Sequence, residues 1–237
     1  MSTTDKASSD ARIHVVLAEL ARNLHSKAHL GPNAVLADIT ASALEVIDGV
    51  HSAGITLTKG RKVIQTLAPT DDIARRFDEL QHQTTQGPGL DAAWQHRTVR
   101  VPDLLTDDRW PLFTAALREQ SPVRSSVSYA LFPNSGGTGA LNVCSTQPFS
   151  ITDDAVEAGY ALAAHAALIL EVARKEEQFQ SALASRDVIG QAKGMLMERF
   201  NVDAEQAFIL LTKLSHESNV TVVEICRQLT SAKPETD

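Results

Sequence analysis

The run Arg186-Asp-Val-Ile-Gly-Gln-Ala-Lys-Gly-Met-Leu-Met-Glu-Arg-Phe200 sets apolar residues at helical spacing around two interior glycines. Ile189, Ala192, Leu196 and Phe200 recur three or four apart, the period of one helix face. A glycine inside a helix costs roughly 1 kcal/mol relative to alanine, so Gly190 and Gly194 need a reason. Close approach supplies one: either the following helices pack tightly there, or an external partner comes up to the helix beside Lys193. Arg186, Gly190, Lys193 and Met197 project within one broad face and form a cationic strip that leaves room for such a partner.

Downstream, Asp203 with Gln206 and Thr221 with Glu224 have the spacing of capping boxes, which place two helix starts. Ala207, Leu210, Leu211, Leu214 and Ser218 line the first of these helices. Val222, Ile225, Cys226 and Leu229 line the second. These stripes are expected to meet Ile189, Ala192, Leu196 and Phe200 in one small core, with Cys226 as a packing residue. Upstream, the helical pattern runs unbroken from Thr152 to Phe200. Its seam through Leu162, Ile169, Val172, Phe179 and Leu183 fits a terminal helix on a sheet or a short parallel coiled coil, and Arg174-Lys-Glu-Glu177 reads as a solvated linker.

The preceding part alternates helix and hairpin signals. Arg12 to Leu24 and Pro32 to Ile47 read as helices, and Val50 to Thr58 with Lys62 to Leu67 as a hairpin across Lys59-Gly60. Asp71 to Thr84 is helical and stops at Gln86-Gly-Pro-Gly89. A short helix near Leu90 to His96, a strand at Thr98 to Val101 and a helix opening at Asp107 follow. Val123 to Phe132 and Thr138 to Ser145 make a second hairpin. This order predicts an α+β domain with helices against an antiparallel sheet.

The chain has 237 residues, enough for one medium domain and one small one; 43% are hydrophobic and 22% charged, as in ordinary globular proteins. No run reaches the roughly 18 uncharged residues of a membrane helix, and Met1 to Asp10 lacks a signal-peptide core, so a cytoplasmic protein with a short disordered tail and no membrane partner is expected. Two cysteines, Cys144 and Cys226, argue against a disulfide framework or thiolate cluster. Cys144 reads as a buried small apolar residue. Histidines 14, 25, 29, 51, 82, 96 and 165 lack metal-ligand spacing, and the chain has no Ser-His-Asp elbow, P-loop or zinc signature. No catalytic residue, metal or cofactor is expected. The net charge is −7, and residues 186–237 hold six Lys or Arg against eight Asp or Glu. Nucleic-acid binding would therefore need a local patch.

Two family resemblances rest on these residues. Gln86-Gly-Pro-Gly-Leu-Asp-Ala92, Val101-Pro-Asp-Leu104, Asp108-Arg-Trp-Pro111, Val123-Arg-Ser-Ser126 and Gly139-Ala-Leu-Asn-Val143 resemble GAF sensory domains in order and spacing. That likeness implies a small-molecule ligand or dimerisation on one face of the sheet. Many relatives carry Cys where Gly89 stands. The methionine sulfoxide reductase version of the fold uses several cysteines, whereas this region has Cys144 alone. Arg75-Arg-Phe-Asp-Glu79 is similar to a cyclic-nucleotide motif, but it precedes the Gly-Pro loop and reads as a solvated helix face. From Asp187 to Ala232 the sequence resembles an ANTAR domain, through Arg186 to Met197, Ala204-Glu-Gln-Ala-Phe208, Leu211, Ser218-Asn219, Val222 and Ile225. That family binds paired stem-loops in nascent transcripts and prevents termination. Ser215 and Cys226 replace usual alanines, and Ser215 is expected to loosen the core slightly.

The expected architecture is thus a tail at 1–10, an α+β GAF-like sensory domain at 11–172, a helical or coiled-coil linker at 173–185 and an all-α three-helix ANTAR domain at 186–237. The expected function is signal-responsive antitermination by a homodimer that binds RNA stem-loops. Arg186, Gly190, Gln191, Lys193, Gly194, Met197, Arg199 and Phe208 are the candidate RNA contacts, with Lys213 weaker; Phe208 could instead serve the core. A dimeric DNA-binding regulator is the alternative, since a three-helix unit can present a recognition helix. An enzyme built on the first domain comes third.

Overall fold

A computed structural model describes Val15, Ala18, Arg22 and residues 32–59, 63–131 and 138–231. The first expected helix lies outside these apart from its three isolated residues, which are helical, as do the Lys59-Gly60 turn beyond Lys59 and the loop of the second hairpin. The chain divides into two compact units, Met1–Arg174 and Lys175–Asp237.

In the first unit, helix α1 (Pro32–Val46) leads into strands β1 (Ser52–Lys59) and β2 (Val63–Leu67). Helices α2 (Asp72–Thr84) and α3 (Pro88–Gln95), strand β3 (Val99–Val101), helix α4 (Pro111–Gln120) and strands β4 (Ser125–Leu131) and β5 (Thr138–Ser145) follow. The sheet order is β2-β1-β5-β4-β3 and every pairing is antiparallel. Asp71 starts α2 by accepting from the Ala74 N–H at 2.8 Å, and Thr85 ends it in the left-handed conformation. Pro88 and Pro111 open α3 and α4. Gly-Pro-Gly is therefore not the loop the sequence suggests: Pro88 needs no N–H partner in a first turn, so α3 begins two residues before Leu90.

Strand alternation divides the unit into two layers. Ala53, Ile55, Val127, Tyr129, Leu131, Leu141 and Val143 face α1 and the first turns of α5 (Asp153–Phe200), where Leu162, Ala166 and Leu170 complete one core. On the other face, Phe77, Leu80, Ala92, Ala93, Leu104, Phe113 and Leu117 form a second core with Val99, Val101, Ala140 and Cys144. Phe77 and Phe113 meet edge to face at 5.4 Å. By length and composition, α5 holds a stretch apolar enough to cross a membrane, although its longest uncharged run lies between Glu157 and Glu171 and stays below 18 residues; nearly half of that stretch is buried in the fold.

Tyr129 donates a 3.2 Å hydrogen bond to the Val156 carbonyl and packs on Tyr160. Its ring and hydroxyl occupy the space a Cβ on Gly159 would need. Gly159→Ala is expected to lower the stability of this unit by about 1 to 3 kcal/mol through overpacking. An unchanged denaturation midpoint would refute that expectation.

The second unit contains the C-terminal part of α5, then α6 (Ala204–Ser218) and α7 (Val222–Ser231). Asp203 caps α6 by accepting from the Gln206 N–H at 2.8 Å, and Thr221 accepts from the Glu224 N–H at 3.3 Å. Ala192, Leu196, Ala207, Leu211, Ile225 and Cys226 are the buried core, with Val188, Ile189, Val202, Val220, Val222 and Leu229 around them. The expected core is too wide. Leu210, Leu214 and Phe200 are 37%, 43% and 58% exposed, and Ser218 is exposed as well. Only Ala207 and Leu211 of α6 are fully buried, because the helix meets its partners along a narrow stripe; Phe200 ends α5 just before the left-handed Asn201. Ser215 does not loosen the core: its hydroxyl donates to the Val220 carbonyl at 2.6 Å and ties the turn between α6 and α7.

Candidate functional site

On α5, about 100° of turn per residue brings Arg186, Gly190, Lys193 and Met197 into one strip, with Gly194 at its edge. A Cβ built on Gly190 or Gly194 meets nothing within 4 Å. This removes tight packing of the following helices as the reason for the glycines. Both face open space, where a side chain would be favoured by helix propensity alone. Lys193 is half-buried and its ammonium lies 5.9 Å from the Phe208 ring centroid on α6, at the outer reach of a cation–π contact. Phe208 is 45% exposed, so it flanks the strip and does not fill the core.

Neither Arg186 nor Lys193 forms an ion pair among the described residues, whereas Lys213 is paired with Glu217 at 3.9 Å and Arg227 with Glu224 at 3.4 Å. Gln191 and Arg199 are exposed but point about 140° away from Arg186, on opposite flanks of the helix. The fold therefore brings together six of the candidates, Arg186, Gly190, Lys193, Gly194, Met197 and Phe208. It sets Gln191 and Arg199 apart.

The first unit carries a polar cluster that the sequence reading missed. Arg75 to Glu79 is not a solvated face: Arg75 is exposed, but Phe77 and Asp78 are buried, Asp78 at 1% exposure. Asp78 Oδ1 accepts from Asn142 Nδ2 at 2.8 Å and Gln81 Nε2 at 3.2 Å, and Asn142 Nδ2 also donates to Thr56 Oγ1 at 2.7 Å. Gln81 Oε1 accepts from the Gly89 N–H at 2.7 Å. Burial pushes the Asp78 carboxyl up to about 7; hydrogen bonding by Thr56, Asn142, Thr66 and Gln81 only partly offsets this. The available signal was the spacing of Phe77, Leu80 and Gln81, which turns Asp78 inward between them.

Gly89 completes the cluster: a Cβ there would lie 2.5 Å from Asn142 Oδ1 and 2.8 Å from its Nδ2. Cys144 on the same sheet face is buried, and its thiol is pushed well up by burial, with the carboxyls of Asp78 and Asp71 adding to the effect. It behaves as a small core residue. A surface depression of about 400 Å³ is lined by Pro102, Asp103, Thr106, Asp107, Asp108, Arg109 and Phe149. Two of its acids are already engaged. Asp103 and Asp107 are held below the usual carboxylate range by hydrogen bonds from Arg124 and Arg109.

Residues 177–229 match the family model of the ANTAR domain. The first unit is similar in fold to the free methionine-R-sulfoxide reductase of Neisseria meningitidis, solved with its substrate, at 17% identity over 74% of this chain and 95% of that one, with a TM-score of 0.52. It is also similar to the GAF domains of phosphoenolpyruvate-protein phosphotransferases. For the Acinetobacter domain the identity is 13% over 74% of this chain and 97% of that one, TM-score 0.50. For the Coxiella burnetii domain it is 10% over 71% and 98%, TM-score 0.50. No curated protein matches the chain. At such identities the likeness is one of fold, and the chain is a GAF-like α+β fold followed by an ANTAR domain.

Proposed function

We propose that this protein is a signal-responsive RNA-binding regulator that prevents transcription termination, acting in the cytoplasm as a homodimer on paired stem-loops of nascent RNA. ANTAR domains are associated with such regulators, and the GAF-like unit fits the sensor role. The observation that carries the reading is the pair of exposed helix glycines beside an unpaired lysine: the chain forgoes helix propensity at two positions its own core never uses. A nucleotide could then approach the helix backbone between Arg186, Lys193 and Met197, and Phe208 offers a ring on which an unpaired base could stack.

Two copies suit the small, acidic module. Leu168, Val172, Phe179 and Leu183 are exposed on α5 at a four-seven-four spacing that matches a coiled-coil seam. Pairing there would let one chain's binding raise the effective concentration of the other's strip. A catalytic role for the first unit is not proposed, because the sulfoxide reductase chemistry of its fold uses several cysteines and this chain has two. The sensory unit would respond to a small molecule or another stimulus on the face around Asp78.

Sequencing RNA crosslinked to the protein in its native cell tests both the type of nucleic acid and its architecture. Paired hairpins among the recovered fragments support the reading, and duplex DNA that outcompetes them would replace it with a DNA-binding regulator. On a recovered hairpin pair, Lys193→Ala is expected to weaken binding by roughly tenfold, the loss of one charge-assisted contact. Equal affinity of variant and wild type would remove Lys193 from the interface.

A further inference from the structure

Asp78 is buried in the layer between α2 and the sheet, and no cation among the described residues compensates it. From α2 itself, Arg75 and His82 are exposed, Arg76 is paired with Glu79 and Asp71 caps the helix. Strands β1 and β2 contribute Gly54, Thr56 and Thr66, and β5 contributes Asn142 and the thiol of Cys144. Helix α3 brings Gly89, while its Asp91 is occupied by Trp110 Nε1 at 3.1 Å; Arg118 and Glu119 of α4 are exposed. Oδ1 takes both amide donors, and Oδ2 has no well-formed hydrogen bond. Among the described residues, Asn142 Oδ1 and the hydroxyls of Ser126 and Ser128 in the same sheet face likewise have no hydrogen-bond partner.

A buried carboxylate with one unsatisfied oxygen and no counter-ion is strongly disfavoured, so the group keeps its proton until the surroundings open. We propose that Asp78 is a proton-operated latch of the sensory unit: neutral, it lets α2 and α3 close on the sheet, and ionised, it releases them. The step is the loss of one proton from the carboxyl to solvent, which leaves one negative charge in the layer. The same cluster connects both helices to the sheet, because Gln81 links Asp78 on α2 to the Gly89 N–H of α3 and Asn142 links it to β5. Moving the ionised carboxyl out of the dry layer towards water would therefore disturb three elements together.

The sign of the linkage follows from the raised pKa. An unfolded aspartate ionises near 3.8, whereas Asp78 in the fold holds its proton to about 7. The folded state binds the extra proton in that window. The stabilisation is complete below the unfolded value, declines as pH climbs between the two, and is gone above about 7.

This latch supplies a stimulus for the sensor proposed above, and its test reads only the first unit, so its failure would leave the RNA reading untouched. The full-length protein, with ¹³C-labelled aspartate carboxyls, is titrated by NMR, and hydrogen exchange is followed at pH 6 and pH 8 with intrinsic rates divided out. Asp78 is expected to titrate near neutrality. Protection of α2 and α3 amides should fall by roughly tenfold or more at the higher pH. In Asp78→Asn, which stays neutral, protection should be equal at the two pH values. An Asp78 carboxyl that titrates below pH 5 overturns the proposal, as does an equal loss of protection in wild type and variant. Should the variant fail to fold, the wild-type titration decides alone.

Discussion

Replacing both strip glycines, Gly190→Ala with Gly194→Ala, is expected to make the C-terminal unit more stable while weakening its RNA binding. Each alanine contributes about 1 kcal/mol to an α-helix relative to glycine, and neither new methyl touches another atom of the unit. The same two methyls would stand on the surface that a nucleotide must reach. Forcing a close-packed contact apart costs roughly 1 to 3 kcal/mol per site, which corresponds to a complex weakened by about five- to 150-fold for each glycine replaced. Thermal unfolding and RNA affinity, measured on one preparation, should therefore move in opposite directions. Raised stability with undiminished affinity would show that the glycines do not serve the interface. A fall in stability would show that they serve the fold by some contact absent here.

Leu211→Ala should abolish the C-terminal unit altogether while the first unit remains folded. Leu211 is fully buried, and among the described residues it is, with Leu196 and Ile225, one of three large side chains in a core otherwise made of Ala192, Ala207 and Cys226. Truncating a buried leucine costs about 2 to 5 kcal/mol, and a core this small supplies a net stability of only a few kcal/mol. In the full-length variant, amide dispersion should be lost for α6 and α7 and kept for the strands of the sheet. RNA binding should vanish with it. A variant that keeps dispersed α6 and α7 signals near the wild-type unfolding temperature would mean that the surrounding Val188, Val202 and Val220 carry more of the stability than their partial burial suggests.

Much of this architecture could be read from periodicity because local rules and tertiary packing agree. The strand pairs β1–β2 and β4–β5, the continuous α5 and the Asp203 cap follow from alternation, spacing and capping chemistry that neighbours do not override. Three features lay beyond it. Leu210 and Leu214 carry the apolar signature of a core face, yet which part of an apolar stripe is covered depends on how wide the partner helices are, and one helix's spacing does not encode that. Gly190 and Gly194 announced a close approach, but the sequence could not assign it to the chain or to a partner; the empty space around them can. Asp78 sits among three charged neighbours, Arg75, Arg76 and Glu79, whose side chains reach solvent, and it turns inward because Phe77 and Leu80 fix the helix rotation. Of the candidate RNA contacts, the strip could be read by counting turns, and the same count separates Gln191 and Arg199 from it.

The fit between Gly89 and Asn142 also constrains the order in which a sequence of this kind can change. A lineage that gained a thiol at position 89 while Asn142 remained would drive the new Cβ into the amide and pull it off Asp78 and Thr56. Shortening position 142 first would open the space but leave the carboxyl short of a donor. Each single step thus costs contacts in the cluster, and a side chain at position 89 is expected to be accommodated only as Asn142 shifts or changes with it.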